Sequence, residues 1–256
     1  ARNCDTTNLF RKLLKTYVIC VSIVIIFSIA GILPSRIVRR GYATYGFVHS
    51  NTLSQYGLAV MNCYLIINAH KLNWKHWLAA CALTVFVSIL TDSRASMVAM
   101  LLCLIGTKTF PKILAPNKIG YYLILVLPAV IMLVSLAVTW KFHTSQNDFL
   151  IRMDNLLNGR FTLASNMMGR LDIPLFGQKI TGTTVENGYL SGLYQFGLIP
   201  MMTQLGVYTY ALRKSMRNRA YAVTASLFAM LFHGLAESAM LNPYMNIALF
   251  TAFEKP

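Results

Sequence analysis

The residues best suited to chemistry in this sequence are seven arginines in polar segments that separate long apolar runs. A planar guanidinium can bind two oxygens of one phosphate or carboxylate, which a lysine ammonium cannot do in the same way. The group therefore predicts a binding site for an anion. The alternative is that each arginine pairs with a nearby acid or with lipid headgroups. The seven are Arg36, Arg39, Arg40, Arg94, Arg152, Arg160 and Arg170.

Two glutamates are candidates for acid–base chemistry. Glu186 lies just before an apolar run that starts at Gly188. A carboxylate at a membrane edge is partly desolvated, which suits a general base, although an acid at a helix start also interacts favourably with the helix dipole. Glu237 follows His233 by four residues, which predicts a shared helix face. We expect Glu237 to pair with His233 or with an arginine, either in a functional site or in a structural ion pair.

Four further polar residues stand beside these groups. His49 and Asn51 lead into an apolar run, where a helix N-terminus favours an anion or sugar hydroxyls, although simple capping is the favoured interpretation of Asn51. Asn187 and Tyr189 follow Glu186 and are expected to shape the same site. The sequence contains no HExxH motif, no glycine-rich phosphate loop and no nucleophile motif.

The elements that carry these residues are predicted to be membrane-spanning helices. Of the 256 residues, 56% are hydrophobic and 12% are charged, and the mean hydropathy is +0.54, which lies outside the range of soluble globular domains. An all-α, polytopic transmembrane bundle that forms one domain over 1–256 is the predicted fold. We predict seven spans and an eighth that begins near Met245: Tyr17–Leu33, Thr52–Ile67, Trp74–Leu90, Ser96–Gly106, Ile119–Thr139, Gly188–Leu212 and Tyr221–Met240. Ser96–Gly106 is short and must extend into its flanking residues.

The charges of the connecting segments predict the orientation. With the N-terminus in the cytoplasm, the inner connections hold eight lysines, four arginines and no acid, as the positive-inside rule expects. The outer connections, including a long loop over 140–187, hold the seven arginines and two lysines. The rule does not explain this outer excess, which supports the anion site. Kinks are expected at Pro128 and at Gly192, Gly197, Pro200 and Gly206, although close helix packing would also account for the glycines.

The order of several short motifs resembles that of the O-antigen and capsular polysaccharide polymerases, known as Wzy. The motifs are Arg39-Arg40-Gly41, Gly46-Phe47-Val48-His49-Ser50-Asn51, Ser93-Arg94, Asn158-Gly159-Arg160, Leu175-Phe176-Gly177 and Glu186-Asn187-Gly188-Tyr189-Leu190. The resemblance covers roughly 36–237. It implies a bacterial inner-membrane glycosyltransferase whose site faces outward and needs no metal or cofactor. A glycan would move from one undecaprenyl-pyrophosphate carrier onto a lipid-linked repeat unit. Family members have more spans, which implies further spans outside this sequence.

The resemblance implies partners and a working mechanism. The partners are undecaprenyl-pyrophosphate-linked oligosaccharide, membrane lipids and, as candidates, a chain-length regulator and a flippase; no nucleic acid is implied. Glu186 would deprotonate the attacking hydroxyl while arginines hold the pyrophosphates. The catalytic candidates are Glu186, Arg160 and His49. The substrate-binding candidates are Arg36, Arg39, Arg40, Asn51, Arg94, Arg152, Arg170, Asn187, Tyr189, His233 and Glu237.

Three alternatives remain open. The related O-antigen ligases show a His-Asn pair where this chain has Glu186-Asn187, so His49 and His233 are alternative bases. A transporter or flippase of an anionic lipid-linked substrate would also use arginines, but it is expected to show an internal repeat of broken helices, and none is evident. A structural partner of an export complex would leave the arginines without a chemical role.

Overall fold

A computed structural model describes residues 6–37, 42–91, 93–114, 118–145, 147–156, 159–180 and 186–253. In these ranges the chain is helical apart from its connections and one isolated bridge between Ile37 and Ala43, which confirms the all-α class. The α-helices are α1 Thr6–Ile29, α2 Ser50–Asn68, α3 Trp74–Thr91, α4 Arg94–Leu114, α5 Lys118–Thr144, α6 Asp148–Leu156, α7 Arg160–Met168, α8 Gly188–Phe196, α9 Leu198–Arg217 and α10 Tyr221–His233. Two 3-10 helices follow, Ser238–Leu241 and Ile247–Phe253.

Four of the described helices are long and apolar enough to cross a membrane: α1, α3, α4 and α5 from Ile119 onward. Helix α4 begins before Ser96 and continues past Gly106 to Leu114, as expected for a run too short by itself. Pro128 lies inside α5 without ending it. Many large side chains of α1, α3 and α5 are exposed, for example Ile29 at 75% and Ile119 at 70%. Such surfaces suit a hydrocarbon environment.

The predicted sixth span, Gly188–Leu212, is two helices rather than one. Gly197 separates α8 from α9 with φ +93°, a conformation that strains residues with a Cβ. A Cβ on Gly197 would lie 2.7 Å from the carbonyl oxygen of Leu175. The Leu198 amide donates to the Pro174 carbonyl at 2.8 Å, so the segment before α8 packs on the break. The sequence predicted a kink here, and the close approach of a second backbone explains the full interruption.

The predicted seventh span, Tyr221–Met240, ends earlier than expected. Helix α10 stops at His233, and Glu237 lies in the non-helical connection before Ser238–Leu241. The predicted shared helix face of His233 and Glu237 is therefore wrong. The two residues stay adjacent because the Glu237 amide donates to the His233 carbonyl at 2.9 Å. The apolar run near Met245 forms a 3-10 helix instead of an α-helical span.

Helix α10 is the centre of the packing and lies mainly against α4. Small residues allow this close approach, since a Cβ on Gly106 would lie 3.0 Å from the Cβ of Ala225. Ten of the thirteen residues of α10 are buried. Its C-terminal end brings His233 and then Glu237 beside the first turns of α2 and α4.

Candidate functional site

Arg160 is the centre of the candidate site because two glutamates from distant segments share one of its nitrogens. Its Nη2 lies 2.9 Å from Glu237 Oε1 and 3.0 Å from Glu186 Oε2. The Arg160 side chain is only 11% exposed. The glutamates differ sharply, since Glu237 is 7% exposed and Glu186 is 46% exposed. Glu186, expected to be partly desolvated, is thus the more exposed of the two, and Glu237 is the buried carboxylate.

Helix α2 supplies two amides that hold Glu237 in place. Asn51 Nδ2 donates to Glu237 Oε1 at 2.8 Å, and Gln55 Nε2 donates to Oε2 at 3.3 Å. These residues are four apart, so both face the carboxylate from one side of α2. The N-cap of α2 is His49, and the capping role expected for Asn51 is therefore wrong. Burial raises the pKa of the Glu237 carboxyl, while the adjacent Arg160 guanidinium opposes that shift.

The start of α7 fixes the position of Arg160. Gly159 has φ +79° and acts as the N-cap, so the helix begins at Arg160 itself. Its first free amides are satisfied by Asp154, whose Oδ1 accepts from the Phe161 amide at 2.7 Å and from the Thr162 amide at 3.2 Å. The Thr162 hydroxyl also donates to Asp154 Oδ2 at 2.5 Å. This carboxylate therefore anchors the turn that carries Arg160.

A chain of hydroxyl groups connects His233 to the same cluster. Ser54 Oγ donates to the Asn51 carbonyl at 2.7 Å and lies 2.9 Å from Ser96 Oγ. Ser96 Oγ also accepts from Ser93 Oγ at 3.2 Å and lies 3.1 Å from His233 Nε2. The single Ser54 proton is used on the carbonyl, so Ser96 must donate to Ser54. Ser96 then has no proton left for the imidazole.

This proton count fixes the tautomer of His233. Nε2 carries the hydrogen and donates it to Ser96, so in the neutral imidazole Nδ1 holds the lone pair. His233 is 1% exposed, and its Nδ1 has no hydrogen-bond partner among the described residues. Arg160 Nη1 is likewise buried without a partner in the described ranges. His233 Nδ1 and Arg160 Nη1 thus retain hydrogen-bonding capacity toward the described residues, which a satisfied structural cluster does not normally leave.

Asn187 and Tyr189 hold the start of α8 in place through hydrogen bonds to α5 and α10. Asn187 is the N-cap of α8, where its Oδ1 accepts from the amides of Tyr189 at 3.0 Å and Leu190 at 3.2 Å. Its Nδ2 donates to Ser135 Oγ of α5 at 2.8 Å. Tyr189 has no exposed surface, and its hydroxyl donates to the Leu231 carbonyl at 2.8 Å. Both side chains therefore tie α8 to its neighbours next to Glu186.

The other predicted arginines do not join this cluster. Of these seven arginines, Arg160 alone forms an ion pair with Glu186 or Glu237 in the part of the chain that the structure describes. Arg152 is on α6 and not on one helix with Arg160, and its side chain is exposed. His49 is also exposed, and its side chain makes no cap hydrogen bond. Exposed side chains are likewise found at Arg36, Arg94 and Arg170, whereas Arg39 and Arg40 lie outside the described residues.

Sequence reasoning missed four residues that build the site: Gln55, Ser54, Ser96 and Asp154. The spacing of Gln55 to Asn51 was the available signal, because polar residues four apart in an apolar run share a helix face. Ser54 and Ser96 stood in apolar runs without an evident partner. Asp154 is an acid close in sequence to Arg152 and Arg160, yet its carboxylate binds backbone amides and not an arginine of the described residues.

A lateral groove lies between α1, α2 and α3. Its volume is about 410 Å³, and its lining is almost entirely apolar. Leu53 and Tyr56 of α2 contribute to it, in the same two turns that present Asn51 and Gln55 to Glu237. Val18 and Ile26 of α1 and Phe86 of α3 form its sides.

Comparison with known proteins gives no relative for this chain: no family model, no curated protein and no solved structure matches it.

Proposed function

We propose that the protein is a bacterial polysaccharide polymerase that transfers a glycan from undecaprenyl pyrophosphate onto a lipid-linked repeat unit. One observation carries this proposal. A single buried arginine is held between two carboxylates, one fixed and one half-exposed, and keeps a buried Nη1 without a partner in the described ranges. A guanidinium with unused hydrogen-bonding capacity is suited to a phosphate oxygen. The resemblance of the motifs to the O-antigen polymerases gives the substrate class.

In the proposed reaction the oxygen of an acceptor sugar hydroxyl attacks the anomeric carbon of the donor. The bond between that carbon and the pyrophosphate oxygen breaks, and the pyrophosphate leaves with the electron pair. Glu186 takes the hydroxyl proton because it is the more exposed carboxylate of the cluster. Arg160 stabilises the charge that develops on the leaving group. Asn51, Gln55 and Glu237 keep the guanidinium oriented.

The proposed topology keeps the seven spans predicted from the sequence, with α8 and α9 as one broken span and α10 as the last. In this arrangement the site lies at the outer face of the inner membrane, where the long connection between α5 and α8 meets the start of α2 and the segment after α10. The apolar groove between α1, α2 and α3 is suited to an isoprenoid tail of the carrier lipid. Leu53 and Tyr56, which line this groove, lie on the same turns of α2 as Asn51 and Gln55. This proximity supports a substrate that has both an anionic group and an apolar tail.

The proposal is tested in a bacterial strain whose surface polysaccharide depends on this protein. Arg160→Ala and Glu186→Gln are expected to shorten the polymer to single repeat units, measured by gel electrophoresis of the glycan. Asp148→Asn is the matched control, because Asp148 is an exposed acid at the start of α6. Protein in the membrane fraction is quantified by immunoblot. Full-length polymer from both variants at normal protein levels would refute the assignment.

A transporter of an anionic lipid-linked substrate is the second candidate, and the break between α8 and α9 favours it. Broken helices line substrate paths in many transporters. The two candidates differ in their need for energy. Transport driven by a gradient stops when an ionophore collapses that gradient, whereas glycosyl transfer between lipid carriers continues.

A further inference from the structure

The two carboxylates on Arg160 are not equivalent ligands. Glu237 is nearly buried and accepts from Asn51, Gln55 and Arg160, so it has little freedom to leave. Glu186 is 46% exposed, and among the described residues only Arg160 holds its carboxylate. An exposed ion pair contributes little to stability because water competes for both charges. Glu186 is therefore the ligand that an incoming anion can displace.

We infer that the Glu186 carboxylate occupies the position on the Arg160 guanidinium where a phosphate group of the substrate binds. When substrate binds, the phosphate displaces the carboxylate from that position. This inference rests on the proposed function and adds a resting state in which the protein's own carboxylate fills the anion site. The phosphate position lies 3.0 Å from Nη2, where Glu186 Oε2 now lies, and next to Nη1, which has no hydrogen-bond partner in the described parts of the chain. A phosphate offers oxygens to both nitrogens at once, which one Glu186 oxygen does not do.

The exchange has a consequence for the order of events. While Glu186 is paired with Arg160, the carboxylate is occupied and is a poor base. When a pyrophosphate takes its place, Glu186 is released beside the substrate and becomes free to accept a proton from the acceptor hydroxyl. The donor must then bind before the acceptor can be activated. Glu186 is therefore free to act as a base only when the donor pyrophosphate is bound to Arg160.

Binding of inorganic pyrophosphate tests the exchange without requiring turnover. The full chain is placed in nanodiscs of zwitterionic lipid, and affinity is measured by isothermal titration calorimetry. Glu186→Gln removes the competing charge and is expected to bind pyrophosphate at least about ten-fold more tightly than the unmodified protein, because a negative charge within a few ångströms of the anion is lost. Asp148→Asn removes the same charge from an exposed position on α6 and is expected to change the affinity less than about two-fold.

A second variant separates this inference from the proposed function. Arg160→Lys keeps the positive charge beside Glu237, but a lysine has one ammonium nitrogen in place of the guanidinium Nη1 and Nη2. The variant protein is expected to bind pyrophosphate about ten-fold more weakly. Equal or weaker binding by Glu186→Gln, with weaker binding by Arg160→Lys, would overturn the exchange alone. Affinity insensitive to both changes would overturn the exchange and the anion site together. Tighter binding by Glu186→Gln in a protein that never elongates glycan would support the exchange and reject the polymerase.

Discussion

A double-mutant cycle between Arg160 and each of its two carboxylates tests whether the site has one fixed partner and one exchangeable partner. The perturbations are Arg160→Gln, Glu237→Gln and Glu186→Gln, singly and as the two pairs that include Arg160. Glutamine keeps hydrogen-bonding capacity and approximate size while removing charge. The coupling energy in each cycle then reports mainly the ion pair.

The expected magnitudes follow from burial. At an effective dielectric constant of about 20, two unit charges about 4 Å apart attract by roughly 4 kcal/mol, and measured couplings in shared networks are smaller, up to about 3 kcal/mol. Arg160 and Glu237 are 11% and 7% exposed, so we expect a coupling of about 2–3 kcal/mol. Glu186 is 46% exposed, and solvent screening reduces its expected coupling below about 1 kcal/mol.

The assay is reversible unfolding of the purified protein in mixed micelles with increasing denaturing detergent, with all variants measured at the same pH. Arg160→Gln alone is expected to lose about 3 kcal/mol, because it leaves the buried Glu237 charge with only two amide donors. The double variant with Glu237→Gln is expected to be less destabilised than the sum of its singles. Equal couplings to Glu186 and Glu237, or a larger one to Glu186, would refute the distinction between the two partners.

The remaining predictions concern the support of the site. Asp154→Ala removes three hydrogen bonds at the start of α7, so we expect a loss of about 1–2 kcal/mol in unfolding free energy and weaker pyrophosphate binding through Arg160; unchanged binding would contradict this role. Ser96→Ala leaves the Nε2–H of His233 without an acceptor, with an expected cost of about 1–3 kcal/mol; ¹⁵N NMR of the imidazole should show a protonated Nε2 in the unmodified protein and a mixture of tautomers in the variant. Because burial raises the pKa of Glu237, its folded form binds the proton more tightly than its unfolded form. The stability of the unmodified protein relative to Glu237→Gln is therefore greatest below the ordinary value of 4.5 and declines as pH rises through the raised pKa, which unfolding at a series of pH values measures.

Hydrophobic periodicity and length were sufficient to locate the simpler helices. Trp74–Leu90 was predicted as a span and is found as the helix Trp74–Thr91, because its apolar run is long enough to cross a membrane. Gly188–Leu212 was harder, since the interruption at Gly197 depends on the backbone of Leu175 approaching from a distant segment. A pattern read along one segment does not contain that contact.

In the candidate site, too, the sequence indicates the residue types but not the contacts between distant segments. Residue type and a position near a predicted span end point to Glu186 and Glu237, and Arg160 is one of the arginines of the predicted long loop. The structure brings the three together. Asn51 was interpreted locally as a cap, but its partner Glu237 is 186 residues away in sequence. A local pattern does not identify such a partner. In the described residues the expected arginine cluster also reduces to Arg160, because a sequence pattern does not say which arginines are buried against carboxylates.

The central claim is that Arg160 holds a pyrophosphate leaving group during glycan transfer. The most direct measurement is elongation of lipid-pyrophosphate-linked oligosaccharide by the purified protein in nanodiscs, where no transmembrane gradient can exist. We predict a ladder of longer lipid-linked glycans from the unmodified protein and from Asp148→Asn, and at least about a hundred-fold slower elongation from Arg160→Gln, the scale expected when one transition-state charge contact is lost. A ladder formed equally fast by Arg160→Gln, or no ladder from correctly folded unmodified protein, would contradict the claim.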